Sequence, residues 1–204
     1  MSMLFRISYP YVKRMIDLVL GILLLILMLP ALVVCAIIIK IDSPGPVFFA
    51  QERTGKGGKR FKMFKFRTMV ADAEELKGHY QHLNTQSYPD FKIEDDPRIT
   101  KLGRILRQTS LDELPQIFNV IRGDMSLVGP RPTSFSSSTY DLWHTARLDT
   151  TPGITGLWQV NGRTDIDFDD RSRLDIAYIR NQSLWLDLTI LLRTFTSVIR
   201  KEGR

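Results

Sequence analysis

From Leu18 to Ile39 the chain carries no charged side chain. As a helix such a run is roughly 33 Å long, enough to cross a hydrocarbon core. After the turn-rich Ser43-Pro44-Gly45-Pro46 the pattern changes: Val47 to Gln51 and Phe61 to Met69 have the aromatic, alternating character of two short strands, joined by a hairpin loop over Arg53 to Lys59. Helical spacing returns further on. Val70 to Leu83 predicts a polar helix, Asp95 to Gln108 a second with Ile99, Leu102 and Leu106 on one face and Arg104 and Arg107 away from it, and Leu111 to Arg122 a third. Near the end Leu184, Leu188, Leu191, Leu192, Phe195, Val198 and Ile199 make one apolar stripe. Such a helix either packs on the core or lies in a membrane interface with Trp185 at headgroup depth. No internal repeat or low-complexity run interrupts the pattern, so residues 1–204 are expected to form one unit.

The apolar run is longer than the core of a secretory signal and no small-x-small cleavage site follows it, so it is expected to be retained. Pro30 stands near its middle, where a missing N–H and a clash with the carbonyl of Ile26 predict a bend. Basic residues flank it on both sides, Arg6, Lys13 and Arg14 before and Lys40, Arg53, Lys56, Lys59 and Arg60 after. Positive flanks stay cytoplasmic, so a re-entrant helix over about residues 12–40 keeps both ends inside, while a kinked spanning helix remains the competing reading.

Lys and Arg number 28 against 22 Asp and Glu, for a net charge of +6. That excess suits an anionic partner such as lipid headgroups or nucleotide phosphates. Neither a helix-turn-helix nor a zinc-finger pattern supports nucleic acid. Cys35 is the one cysteine, so no intrachain disulfide forms, and its apolar setting makes it a core or lipid-facing thiol.

Chemistry concentrates in Ser110-Leu111-Asp112-Glu113-Leu114-Pro115-Gln116, two adjacent carboxylates at a predicted helix start. Ser110 with Glu113 three residues on is a capping-box pattern, and acidic residues suit any first helical turn. The same amides and positive potential would serve a phosphate and keep Asp112 ionised, as an attacking carboxylate must be. Arginines are the natural grip for a diphosphate, and Arg67, Arg107, Arg131 and Arg163 lie beside stiff or glycine-containing segments. Arg131 is fixed by Pro130 and Pro132, and Arg163 follows Asn161-Gly162. Other patterns fail. The Arg53 to Arg60 loop lacks the first Gly and the final Ser or Thr of a phosphate-binding loop. His79 and His82 have no third metal ligand, and Asp165, Asp167 and Asp169 lack the glycine and terminal acid of a calcium loop.

Lys13-Arg14-Met15-Ile16-Asp17, Asp42 to Phe49, Lys65-Phe66-Arg67-Thr68-Met69, Thr109 to Gln116, Gly123 to Pro132 and Pro152-Gly153-Ile154-Thr155-Gly156 through Arg163 together resemble the bacterial sugar transferases, the monotopic polyprenol phosphate phosphoglycosyl transferases, over nearly the whole chain. The resemblance is to their minimal catalytic form, without a long multi-span N-terminal region. It implies an α/β fold that is mostly helical and monotopic: a re-entrant membrane helix, a short β-hairpin and interfacial amphipathic helices. The membrane part would end near residue 40, with the catalytic part over about residues 41–204 on the cytoplasmic face of the bacterial inner membrane. The helix break falls at Leu29-Pro30, where the family commonly has Ser-Pro. The Asp-Glu dyad maps onto Asp112 and Glu113. Asp112 would attack the β-phosphorus of a UDP-sugar, release UMP, and pass the phosphosugar to a polyprenyl (undecaprenyl) phosphate. Mg2+ would sit near Asp112, with Glu113 assisting the metal or the acceptor. Membrane lipid is an expected partner, and a homodimer is left open. A membrane-anchored scaffold of the same fold without catalysis is the alternative.

Overall fold

A computed structural model of the protein describes the backbone of residues 3–85, 91, 93–161 and 166–200, with side chains from residue 8 to 197 within that range. Helix α1 (Met3–Asp42) is followed by an antiparallel hairpin of β1 (Phe48–Thr54) and β2 (Arg60–Phe66), whose register pairs Phe48 with Phe66 and Thr54 with Arg60. Then come α2 (Lys101–Gln108), α3 (Gln116–Arg122), β3 (Ser126–Val128), β4 (Gly153–Thr155), α4 (Phe168–Arg180) and α5 (Leu184–Arg200). β3 and β4 pair in parallel, a pairing the sequence pattern did not announce. The fold is mostly helical around two small sheets.

Among the described residues, α1 is long and apolar enough to cross a membrane. It runs through Pro30 as one element, with Pro10 and Pro30 both inside it. Its buried positions, Tyr9, Lys13, Asp17, Gly21, Leu32, Cys35 and Ile39, recur at helical spacing and form one stripe. The rest of its surface is apolar and exposed, including Met15, Val19, Ile26, Leu27 and Val34. One hydrophobic core gathers Met63, Ile117, Val120, Met125, Leu127, Val128, Tyr178 and Ile190 against the N-terminal half of α1. A second joins Leu32, Cys35 and Ile39 to Phe66 and Leu106.

Polar contacts fasten both ends of α1 to this body. At the start, the Asp187 carboxylate on α5 accepts from Lys13 Nζ at 2.9 Å, Tyr9 at 2.8 Å and Tyr178 at 2.6 Å. Arg14 donates to the carbonyls of Val120 and Ile121 at the end of α3, at 2.6 and 2.8 Å, and Asp17 accepts from Leu127 N. At the other end the Arg67 guanidinium donates to the carbonyls of Pro44 and Ser43, at 2.6 and 2.7 Å, in the turn just past α1, and at 3.4 Å to the carbonyl of Ile39 in its last turn. Gly45, at φ +120°, leaves the space this needs, since a Cβ there would lie 2.1 Å from Arg67 Nη1.

Three predicted helices are shorter than expected. Residues 70–83 form turns with two short 3-10 segments, Glu75–Lys77 and Gln81–Leu83. Of that stretch only Ala73 is buried, and a polar segment without a packed face gains too little to hold a helix. α2 starts at Lys101 rather than Asp95 because Thr100 Oγ1 caps it, accepting from Gly103 N at 2.9 Å, while Asp96 and Arg98 form a buried pair in the preceding turn. The third begins as the 3-10 turn Leu111–Glu113 and becomes α3 at Gln116, since Pro115 has no N–H for the carbonyl of Leu111. The stripe on α5 is also turned differently. Leu188, Leu192 and Phe195 face outward with Trp185, and the buried face is centred on Asp187 and Ile190. His79 and His82 are exposed, and Cys35 is buried in the second core.

α2 lies directly on the main chain of Thr68: a Cβ on Gly103 would sit 2.0 Å from the Thr68 carbonyl oxygen. Gly103→Ala is expected to lower unfolding stability by about 1–3 kcal/mol in denaturant titrations, because backbone, unlike a flexible side chain, cannot step aside.

Candidate active site

Between α2 and α3 the chain turns sharply. Ser110 has φ 56°, the one non-glycine with positive φ among the described residues, and it makes no side-chain cap. The expected Ser110–Glu113 capping box is therefore absent. Such a backbone costs on the order of 1–3 kcal/mol and is kept only where neighbours impose it. It presents Asp112 and Glu113, in their 3-10 turn, to β2 and to the loop after β3.

The two carboxylates meet different fates. Glu113 accepts from Lys65 Nζ at 2.7 Å and from both terminal nitrogens of Arg131, a forked charge-assisted contact. Asp112 is buried, has no hydrogen bond to its carboxylate among the described residues, and keeps Lys65 Nζ at 4.0 Å. Burial would raise the Glu113 carboxyl, but Arg131 and Lys65 override it and hold the group far below the usual carboxylate range. For Asp112 burial wins. With the Glu113 charge adding to it, burial raises the Asp112 carboxyl against the pull of Lys65, Arg107 and Arg131. Environments that push two neighbouring acids apart assign them different work.

Arg131 is held from behind. Carbonyls on either side of it are engaged: Pro130 by Gly153 N at 2.9 Å, Thr133 by Thr54 N at 2.9 Å, and Ser134 by Arg60 at 3.0 Å. Pro130 and Pro132 are both buried. Arg107 Nε donates to Thr68 Oγ1 at 2.9 Å, and its charge reaches Asp112. Arg67 does not join the dyad, because its donors are engaged at the end of α1. Arg163 and Asp165 lie outside the described residues. Asp167 caps α4, and Asp169 pairs with His144 at 2.9 Å, which accounts for two members of the acidic cluster. Pro30 is remote from the dyad in sequence and exposed on α1.

Sequence reading missed Lys65, the cation between the two carboxylates, although the segment Lys65-Phe66-Arg67 carried part of the resemblance. A lysine on a strand has no local pattern to mark it. Mg2+ takes oxygen ligands, and in phosphoryl transfer it uses one or two carboxylates with substrate phosphates and water. Among the described residues no group of three His, Cys, Asp or Glu is assembled. Among the described residues Asp112 is the dyad carboxylate without a hydrogen-bonded cation, so a donor set of one carboxylate completed by a diphosphate fits that pattern.

A model of the family described as bacterial sugar transferase matches residues 8–201. The chain is 43% identical over 207 residues to galactosyl transferase CpsE of Streptococcus agalactiae, covering 98% of this chain and 44% of that protein. It is 42% identical over 201 residues to the undecaprenyl-phosphate galactose phosphotransferase of Salmonella typhimurium, covering 96% and 42%. It is 38% identical over 196 residues to the exopolysaccharide production protein ExoY of Rhizobium meliloti, covering 94% and 87%. The chain thus spans less than half the length of the first two and most of the third.

The opposed shifts give opposite stability signatures. Asp112 has a folded pKa above its unfolded value, so its ionised form weakens the fold, and the relative stability of the parent falls as pH rises through that pKa. Asp112→Asn should melt no lower than the parent at pH 7.5 and lose that advantage on acidification. Glu113, with a depressed pKa, contributes stability above its unfolded value that is lost as pH falls. Glu113→Gln should cost on the order of 3 kcal/mol at pH 7.5 and less at pH 4, read from denaturant unfolding across pH.

Proposed function

The chain belongs to the bacterial sugar transferase family, and from that membership we propose that it transfers a phosphosugar from a UDP-sugar to polyprenyl phosphate, with Asp112 as nucleophile. The observation that carries this reading is the unequal treatment of the dyad. Glu113 is tied by Lys65 and Arg131, whereas Asp112 is buried among cations with no hydrogen bond to its oxygens among the described residues. A carboxylate raised by burial is less solvated, and so a better nucleophile once ionised.

In the first step an Asp112 oxygen bonds to the β-phosphorus while the bond from that phosphorus to the bridging oxygen breaks, and UMP leaves with the oxygen. In the second, a phosphate oxygen of the polyprenyl carrier attacks the same phosphorus, forming the diphosphate and freeing the carboxylate. Arg131, Arg107 and Lys65 face the charge that develops on the phosphoryl oxygens. Glu113 keeps Lys65 and Arg131 in place. Bound Mg2+ would neutralise diphosphate charge, held on the protein side by Asp112. The undecaprenyl-phosphate galactose phosphotransferase of Salmonella typhimurium supports the donor and acceptor classes through its name. The anchored alternative without catalysis is disfavoured by the burial of the Asp112 carboxyl, whose ionised form weakens the fold.

Embedding follows the same logic. Tyr9 and Ile39 lie about 45 Å apart along α1 at 1.5 Å per residue, more than a hydrocarbon core of about 30 Å. Both ends are fastened to one polar body, through Asp187 and Arg67. This supports a placement with both ends at the cytoplasmic surface, although α1 passes through Pro30 as one helix rather than breaking there. The outward faces of α1 and α5, with Trp185 76% exposed, would be immersed in lipid.

Incubation with a labelled UDP-sugar and Mg2+, without acceptor, should give one adduct per site and a stoichiometric burst of UMP, and Asp112→Asn should abolish both. An adduct undiminished in that variant would remove Asp112 from the chemistry. For topology, cysteines at Ser2 and Gly57 in a Cys35→Ser background should both resist an impermeant reagent in intact cells. Labelling at the first site alone would mean that α1 spans.

A further inference from the structure

We infer that Arg147 and Asp175 are positioning residues that hold Arg131 in its grip on Glu113. The inference rests on the reading of the dyad given above. Arg147 lies on the 3-10 segment Leu142–Leu148 and Asp175 on α4, with exposures of 5% and 1%. One guanidinium nitrogen, Arg147 Nη2, donates to Asp175 Oδ2 at 2.6 Å and to the main-chain carbonyl of Arg131 at 2.9 Å. The Phe168 ring lies beneath the guanidinium, its centroid 5.1 Å away. The carbonyls of residues 130, 133 and 134 are held by other elements, so Arg147 completes the immobilisation at residue 131 itself.

The pair is poorly suited to a purely stabilising role. Removing two charges from water costs several kcal/mol per ion, and apolar residues of similar size often do better. Here the account is worse than usual, because Arg147 Nη1 and Asp175 Oδ1 are buried without a partner among the described residues. Burial pushes the Asp175 carboxyl up to about 6, despite Arg147 and Arg171. Its ionised form therefore weakens the fold at neutral pH. What the pair supplies instead is a fixed donor behind a backbone segment whose two prolines offer no N–H of their own.

Arg147→Lys keeps the charge but has a shorter reach and no planar guanidinium to lie on the Phe168 ring, and so loosens the hold on the two acceptors. Asp175→Asn keeps the shape and weakens the pair from the other side. Each is to be combined with Glu113→Gln in the full chain, in detergent, with denaturant unfolding and UMP release measured on every variant. Distant residues add in their effects on stability unless a shared partner, here Arg131, couples them. Positioning predicts that Glu113→Gln reduces the folding equilibrium constant at least threefold less in the Arg147→Lys or Asp175→Asn background than in the parent. It also predicts that each single variant loses about tenfold in kcat/KM for UMP release. Strict additivity in both backgrounds would overturn the inference, whatever the enzymology. Coupling together with a parent that releases no UMP would keep Arg147 and Asp175 as positioning residues and remove the donor assignment instead. Should one variant fail to fold, the other closes the cycle.

Discussion

Two carboxylates on adjacent residues cannot both be buried and ionised unless cations divide them, and this constraint organises the centre of the molecule. Lys65 from β2 and Arg131 from the loop after β3 converge on Glu113, which leaves Asp112 as the buried acid with no hydrogen-bonded cation among the described residues and Lys65 Nζ at 4.0 Å. The inverted backbone of Ser110 and the clamps on residues 130–134 serve that division. A carboxylate that holds cations is occupied, and one without a hydrogen-bonded cation is left available. Glu113 and Asp112 divide these two states between neighbouring residues.

A second constraint acts on α1. Its buried stripe carries Lys13 and Asp17, charges that an apolar helix in lipid would otherwise avoid, and each is satisfied by the folded body rather than by water. Arg14 reaches the last carbonyls of α3, the helix that the dyad introduces. The apolar helix and the Asp112–Glu113 dyad thus share a single short helix, α3.

Much of this was legible in the sequence where a local pattern sufficed. The apolar run, the hairpin, and the adjacency of Asp112 and Glu113 each depend on neighbours in the chain. Lengths were less legible. The shortened α2 and α3 depend on Thr100 and Pro115, single residues that override propensity, and residues 70–83 lack a face to bury. Arg67 was read as a phosphate ligand because an arginine near glycine and proline suits one, but the carbonyls of the turn just past α1 claimed it first. Lys65, Arg147 and Asp175 had no signal, because what matters about them is the residue they meet, far away in sequence. The outward turn of α5 was hidden for the same reason. Its buried Asp187 looks like a surface charge until Lys13 and Tyr9 are brought beside it.

That meeting of Lys13 with Asp187 spans 174 positions. Chains are made from the N-terminal end, at roughly 5–20 residues per second. The apolar helix therefore emerges many seconds before the residue that fastens its start exists. Until then Lys13 and Asp17 are charges without their folded partners on an otherwise apolar helix. The contact that holds the start of α1 has to wait for nearly all of the body between it and α5, so it is among the later ones that the growing chain can make.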